Sequence, residues 1–140
     1  MGKIMQALRS LLPLKEVKPS KRPKPSWEET VERLNQKPIS CRADAEILRV
    51  IYSADREKRI ILIKSIHGFY QYSMERIEAF DDEEWKYIAH DPNALPAMWS
   101  DFGRPGHSFF GTEQELWNDL VHTPEYRLYF TEPAESKQKT

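Results

Sequence analysis

Hydrophobic and polar positions alternate with a period of two through the middle of the chain. Three segments there, residues 47–53, 59–66 and 69–77, are rich in isoleucine and other large apolar side chains. In the third segment, Tyr72 and Met74 fall on one side of the predicted strand and polar residues fall on the other. Polar residues and a glycine lie between the segments, which suits tight turns. The pattern predicts a three-stranded antiparallel meander.

The second of these segments contains a stretch, residues 60–63, that is apolar on both faces. A strand of this kind is predicted to be central in its sheet and covered on each side. Residues 85–88 and 126–130 indicate a fourth strand and a short last strand. Between them, residues 90–106 contain three prolines and two glycines. This composition predicts an ordered but irregular loop, anchored by large apolar side chains such as Trp99.

Two helices are predicted from their first residues. Ser26 and Thr112 are each followed three residues later by a glutamate, which is the capping-box pattern. Apolar residues then recur at helical spacing, and Pro38 and Pro124 are expected to end the two helices. Together with the meander, these elements predict an α+β fold in which two helices pack on an antiparallel sheet of three to five strands.

Charge is distributed unevenly along the chain. The 140 residues include 21 basic and 22 acidic side chains, for a net charge of −1. Residues 1–26 contain seven basic side chains and one acidic side chain, so the remaining residues carry a net charge of −7. The prolines among these basic residues favour an extended, solvated chain. The sequence therefore predicts an acidic body preceded by a basic arm.

This asymmetry defines the predicted domain organisation. Residues 1–25 form a flexible basic arm, rich in proline and lysine, with a short amphipathic helix near its start. Residues 26–131 form a single α+β domain, a size typical of one folded unit. Residues 132–140 are expected to be disordered. No apolar run approaches the roughly 20 residues that a membrane span requires.

Few residues in this sequence favour catalysis or metal binding. The single cysteine, Cys41, excludes an internal disulfide and a cysteine-based zinc cluster, and we interpret it as a buried structural residue. Unpaired loop histidines are usually surface or capping residues. We therefore predict no catalytic residue, no metal site and no cofactor, so the protein is not expected to be an enzyme. A hydrolase or nuclease would have to use four residues of the long loop: His90, Asp91, Asp101 and His107.

Acidic side chains are concentrated at the end of the third predicted strand and just after it. Such a run is often a solvated surface, which is the simpler interpretation. Its functional interpretation is a docking surface, on which carboxylates speed the association of a basic partner and aromatic anchors hold it. The predicted partner-binding residues are six carboxylates and two tryptophans: Glu75, Glu78, Asp81, Asp82, Glu83, Glu84, Trp85 and Trp99.

Three stretches of the sequence carry a resemblance to a known group of proteins. They are the meander of residues 46–78, the stretch Ser108-Phe-Phe-Gly-Thr-Glu-Gln-Glu-Leu, and the helix end Leu120-Val-His-Thr-Pro-Glu-Tyr-Arg. On these features, residues 46–130 resemble small bacterial immunity proteins. These are α+β proteins that neutralise a cognate toxin of polymorphic or contact-dependent systems. The resemblance implies inhibition by binding, an acidic contact surface and no catalysis.

The leading prediction is a cytoplasmic, non-enzymatic module that binds a basic protein partner through its acidic face, with a toxin domain as the candidate partner. The expected mechanism is steric and electrostatic occlusion of a basic active site. The alternative is an accessory protein that associates with nucleic acid or anionic lipid through residues 1–26.

Overall fold

A computed structural model describes residues 22–103 and 108–131 of the chain. The predicted amphipathic helix of the arm and the predicted C-terminal tail lie outside these residues, so the predicted domain boundaries stay predictions. Among the described residues, no helix combines the length and apolar character needed to cross a membrane. The helices and strands are, in chain order, α1 (Trp27–Gln36), β1 (Ala45–Tyr52), β2 (Lys58–Ser65), β3 (Tyr70–Ala79), α2 (Asp82–Ile88), β4 (Ala97–Asp101), α3 (Glu113–Leu120) and α4 (Pro124–Tyr129).

The four strands form one antiparallel sheet in the order β1-β2-β3-β4. Between β2 and β3, Ile60 lies opposite Met74, and Leu62 lies opposite Tyr72. Two backbone hydrogen bonds, one beside each end of β4, join it to β3 with the opposite chain direction. This arrangement confirms the predicted α+β class and the antiparallel meander. The four strands fall inside the predicted range of three to five.

Strand β2 lies between β1 and β3, the inner position that its sequence predicts. Ile60 and Leu62 are fully buried on one face, and Ile61, which points to the other face, is only 6% exposed. A strand that is flanked on both sides and covered on both faces requires apolar residues at consecutive positions. The unbroken apolar run of β2 is therefore a direct consequence of its place in the sheet.

The prediction of a strand at residues 85–88 is wrong. These residues belong to helix α2, which begins at Asp82. Asp81 accepts a hydrogen bond from the backbone amide of Glu84, and the Glu84 side chain accepts one from the backbone amide of Asp81. This capping box satisfies amides that the first helical turn leaves without partners. The helical start outweighs the strand propensity of the aromatic residues that follow.

Two further elements near the C-terminus differ from the prediction. Most of residues 126–130, predicted as a strand, belong to helix α4, and Thr123 caps this helix by accepting a hydrogen bond from the amide of Tyr126. Pro124 does not end the preceding helix but lies in the first turn of α4, where its missing N–H breaks no hydrogen bond. The predicted loop of residues 90–106 contains strand β4, because its prolines all lie outside the strand. The described residues thus contain four helices, where the sequence predicts two.

The chain divides into two compact units. Of the described residues, the first unit comprises 22–36 and 77–99. Its core joins Leu34 of α1 to Ile77 of β3 and Ala97 of β4. The helix predicted to begin at Ser26 is confirmed, and its buried positions recur at the expected spacing.

The second unit comprises the described residues 37–76, 100–103 and 108–131. One face of the β2–β3 pair packs against α3 and the residue that follows α4. The helix predicted to begin after Thr112 is confirmed, with its apolar face in this core. The fully or largely buried members of the core are Ile60, Leu62, Tyr72, Met74, Leu116, Leu120 and Phe130.

We expect Leu120→Ala to destabilise the protein strongly. The Leu120 side chain is fully buried in the core of the second unit, and truncating a buried leucine typically costs about 2–5 kcal/mol. Leu128→Ala is the matched control, because Leu128 is also helical but 66% exposed. Its free energy of unfolding should fall by less than about 0.5 kcal/mol. Urea denaturation measures both changes, and equal losses would contradict this assignment of the core.

Candidate functional site

The acidic run begins at the capping box of α2. The Asp81 carboxylate accepts the Glu84 amide at 2.7 Å, and Glu84 Oε1 accepts the Asp81 amide at 3.0 Å. Carboxylates in a first helical turn also interact favourably with the positive end of the helix dipole. Part of the acidic run therefore has a structural role, which the sequence could have indicated, since Asp81 and Glu84 have the spacing of a capping box.

Two of the predicted partner-binding residues lie in the interior. Glu84 is fully buried and Trp85 is 4% exposed. Both are placed there by the helix: strand geometry would have pointed them to opposite faces, whereas neighbouring positions of α2 can both face inward. Glu84 Oε2 has no hydrogen-bond partner among the described residues. Neither side chain is available on the surface to contact a protein partner.

Two other predicted residues are committed to contacts within the fold. Glu75 belongs to the second unit, where its Oε1 lies 2.7 Å from Nη2 and 2.8 Å from Nε of the buried Arg59. Trp99 is half-buried in the first unit, and its indole N–H donates to the carbonyl of Leu34 at 3.2 Å. The predicted site of eight residues is therefore not assembled as one surface.

Four of the predicted carboxylates remain accessible, and all belong to the first unit. Asp81, Asp82 and Glu83 are exposed, and Glu78 is half-buried. We call these four residues the acidic surface. They follow one another along the end of β3 and the first turn of α2, so they are positioned by the same capping box.

The first unit carries most of the negative charge of the described residues. Its described part contains nine acidic and four basic side chains, a net charge of −5. The described part of the second unit contains ten acidic and nine basic side chains, a net charge of −1. The predicted acidity of the body therefore resides mainly in one of the two compact units. A field of one sign on one unit attracts a partner of opposite charge.

Some cations of the first unit already contact its carboxylates. Arg33 lies 3.6 Å from Glu29 one turn earlier in α1. Lys24, which the sequence analysis assigned to the solvated arm, forms an ion pair with Asp82. The ammonium of Lys24, by hydrogen bonding and by its charge, holds the pKa of the Asp82 carboxyl below its ordinary value. The basic arm and the acidic surface are therefore in contact at this point.

Arg22 also contacts α2. Its guanidinium donates to the carbonyl of Ala89 at 3.0 Å and to that of Pro92 at 3.2 Å. It also lies over the ring of Trp85, 5.4 Å from the centroid, within cation–π range. The sequence analysis missed these contacts because nothing in the local pattern around residue 22 indicates a partner more than 60 positions away.

A separate hollow lies in the second unit beside the turn between β2 and β3. Its volume is about 350 Å³, and its lining includes Arg42, His67, Phe69 and Phe109. The rings of Phe69 and Phe109 meet edge to face at 6.2 Å, and both are at least half exposed. The positive φ of Gly68, +90°, allows the tight turn that holds Phe69 there. The hollow is mainly apolar and is not part of the acidic surface.

The remaining candidate residues show no chemical constellation. Cys41 is exposed, which corrects its interpretation as a buried residue. It precedes the edge strand β1, where its thiol contacts only the carbonyl of Ala45 at 3.5 Å. Among the described residues, no cluster of three or more histidine, cysteine, aspartate or glutamate side chains has a geometry suited to a metal ion. His107, a member of the conceivable loop site, lies outside the described residues.

Comparison with known proteins gives no relative. No protein-family model matches this chain. No curated protein is detectably similar to it in sequence, and no solved structure matches its fold. Arguments about its function therefore rest on its own residues.

We expect Asp81→Ala to weaken α2 by removing its N-cap. Loss of an aspartate cap typically lowers the free energy of unfolding by about 1 kcal/mol. Asp81→Ser is the matched control, because a serine hydroxyl can accept the same amide while the negative charge is lost. Urea denaturation should place Asp81→Ser closer to the wild type than to Asp81→Ala. If both variants lose the same stability, the effect is one of charge and not of capping.

The pairing of Lys24 with Asp82 predicts a pH dependence confined to acid. Because the pKa of Asp82 is lowered in the folded protein, the ion pair is complete at neutral pH and is lost as the pH falls through that lowered value. In Lys24→Ala, an NMR titration of the carboxyl carbon should show the pKa of Asp82 moving upward. Arg33→Ala, which removes a cation elsewhere in the first unit, should leave it unchanged. An unshifted titration in Lys24→Ala would rule out the pairing in solution.

Proposed function

We propose that this protein is a non-enzymatic binding module that engages a basic protein partner through the first unit. The observation that carries the proposal is the segregation of charge: the described residues of the first unit have a net charge of −5, against −1 for those of the second. Charge confined to one unit orients a diffusing partner of opposite sign and raises its association rate.

The acidic surface is the part of the first unit proposed to meet the partner. Of its members, Asp82 has a side chain that is 87% exposed, although it is paired with Lys24. Glu78 and Glu83 add charge on either side along the chain. Carboxylates in such partly solvated positions retain their hydration until a partner arrives, so their contribution is mainly to steering and specificity.

The proposed mechanism is occlusion. A basic active site or a basic nucleic-acid-binding face would be covered by the first unit, and its cations would be neutralised by carboxylates. This requires no catalytic residue and no cofactor. The resemblance of residues 46–130 to bacterial immunity proteins makes a cognate toxin domain the more specific form of this proposal.

Charge-reversed variants test the proposal. Glu78→Lys combined with Glu83→Lys changes the net charge of the acidic surface by four while leaving Asp82 and its partner Lys24 in place. Capture from a lysate of the source organism, followed by identification of the retained protein and titration of the purified partner, should give a basic protein. Its affinity should fall roughly tenfold or more in this variant, and its salt dependence should weaken.

The matched control is Glu46→Lys combined with Asp101→Lys. Both residues are exposed and belong to the second unit, and the change in total charge is the same. This control should bind the partner within about twofold of the wild type, and thermal unfolding should show that both variants remain folded. Equal affinity for the partner in both variants would contradict docking on the acidic surface.

The same capture tests the alternative that the arm binds nucleic acid or anionic lipid. For this purpose Lys3, Arg9, Lys15, Lys18 and Lys21 are replaced by glutamine, and Arg22 and Lys24 are kept. Recovery of nucleic acid or lipid that is lost with these five charges would place the function in the arm and overturn the proposal.

A further inference from the structure

The carbonyl groups at the end of α2 form a cation-accepting site. The last carbonyls of a helix lack intrahelical partners and carry the negative end of the helix dipole. Here the Arg22 guanidinium donates to the carbonyls of Ala89, Asp91 and Pro92. A planar group with several fixed donors suits such a cluster better than a lysine ammonium.

Trp85 completes this site and binds both parts of residue 22. Its ring lies beneath the Arg22 guanidinium, at 5.4 Å from the centroid. Its indole N–H donates to the Arg22 backbone carbonyl at 3.0 Å. A backbone contact together with a side-chain contact is characteristic of a bound peptide segment, since it fixes the direction of the chain as well as the side chain.

The opposite end of α2 holds the second cation. Lys24 pairs with Asp82 in the first turn, while Arg22 lies at the last turn. Pro23 and Pro25 exclude helical backbone from the residues that precede them. The extended chain therefore spaces the two cations by roughly 7 Å, and helix α2, of seven residues, is roughly 10 Å long.

We propose that this face of α2, defined by Trp85, the carbonyls of Ala89, Asp91 and Pro92, and Asp82, is a binding site for an extended Arg-Pro-Lys segment. Residues 22–25 of the chain occupy the site in cis. A basic partner inserts an equivalent arginine-containing segment and displaces them. This inference rests on the proposed function, since it specifies how a basic partner is recognised.

Occupation in cis makes the site self-competing. The affinity of an added segment is reduced by the fraction of molecules in which the site is open. If the cis segment is bound in nine molecules of ten, removing it should tighten binding roughly tenfold. The partner must therefore exceed the cis segment in affinity, which favours partners with an arginine over those with lysines alone.

A labelled peptide tests the site without the native partner. The probe is Lys-Arg-Pro-Lys-Pro-Ser, the sequence of residues 21–26, with a fluorophore at its amino terminus. Fluorescence anisotropy compares the wild type with Arg22→Ala combined with Lys24→Ala, which removes both cis anchors. The double variant should bind the peptide roughly tenfold more tightly than the wild type. Adding Asp82→Lys to the double variant should abolish the gain.

The matched control removes one arginine and one lysine elsewhere. Lys37→Ala combined with Arg127→Ala, both at exposed positions of the second unit, makes the same change in charge and should bind the peptide as the wild type does. If this control gains as much affinity as the double variant, the effect is one of net charge and the inference fails. It also fails if the wild type and the double variant bind the peptide equally, or if neither binds.

A second measurement guards against loss of folding. The indole N–H resonance of Trp85 should shift in the double variant and return toward its wild-type position when the peptide is added. A double variant whose folded spectrum is preserved but whose Trp85 resonance ignores the peptide would overturn the inference. A wild-type dimer that Arg22→Ala dissociates would also overturn it, in favour of exchange of the segment between two copies.

The two proposals fail separately. Glu78→Lys with Glu83→Lys leaves Arg22, Lys24, Asp82 and Trp85 unchanged, so its effect on the native partner does not depend on the peptide result. Conversely, the peptide experiment needs no native partner. A charged first unit that docks a partner without using the face of α2 would preserve the proposed function and overturn only this inference.

Discussion

The reciprocal capping box between Asp81 and Glu84 is the interaction on which the candidate site depends. It sets the start of α2 directly after β3, and that start determines where each following side chain points. Glu84 and Trp85 turn inward as a result, and Asp82 and Glu83 remain outside. The end of the same short helix then presents the carbonyls that accept Arg22. One pair of hydrogen bonds thus organises both ends of the surface.

The carboxylates of this region divide into structural and accessible groups. Asp81 and Glu84 cap a helix, and Glu75 neutralises the buried Arg59. Removing one partner of such a pair costs more than an exposed carboxylate contributes, because it leaves a buried charge unmatched. What remains for recognition is the charge of the first unit as a whole, together with its few exposed carboxylates. The acidic run is therefore meaningful at the level of the unit and not residue by residue.

The basic and acidic parts of the chain are not independent. The composition separates an arm from a body, but Arg22 and Lys24 bind the body at both ends of α2. Proline on either side of Lys24 lowers the entropy lost when this segment is ordered. The same chemistry that makes the first unit attractive to a basic partner also makes it attractive to its own chain. Any partner therefore meets a surface that is already partly occupied.

The sequence by itself determined the meander, the inner place of β2 and the starts of α1 and α3. These features follow from local signals: apolar positions with a period of two or of a helix, and capping residues three positions apart. Residues 126–130 carry a local signal too, but Pro124 and the Thr123 cap start a helix there, and the sequence analysis read the proline as a stop. Only the tertiary structure decided which carboxylates are accessible and where Arg22 lies. Those outcomes depend on burial and on contacts between residues 63 to 70 positions apart, and no local pattern encodes such contacts.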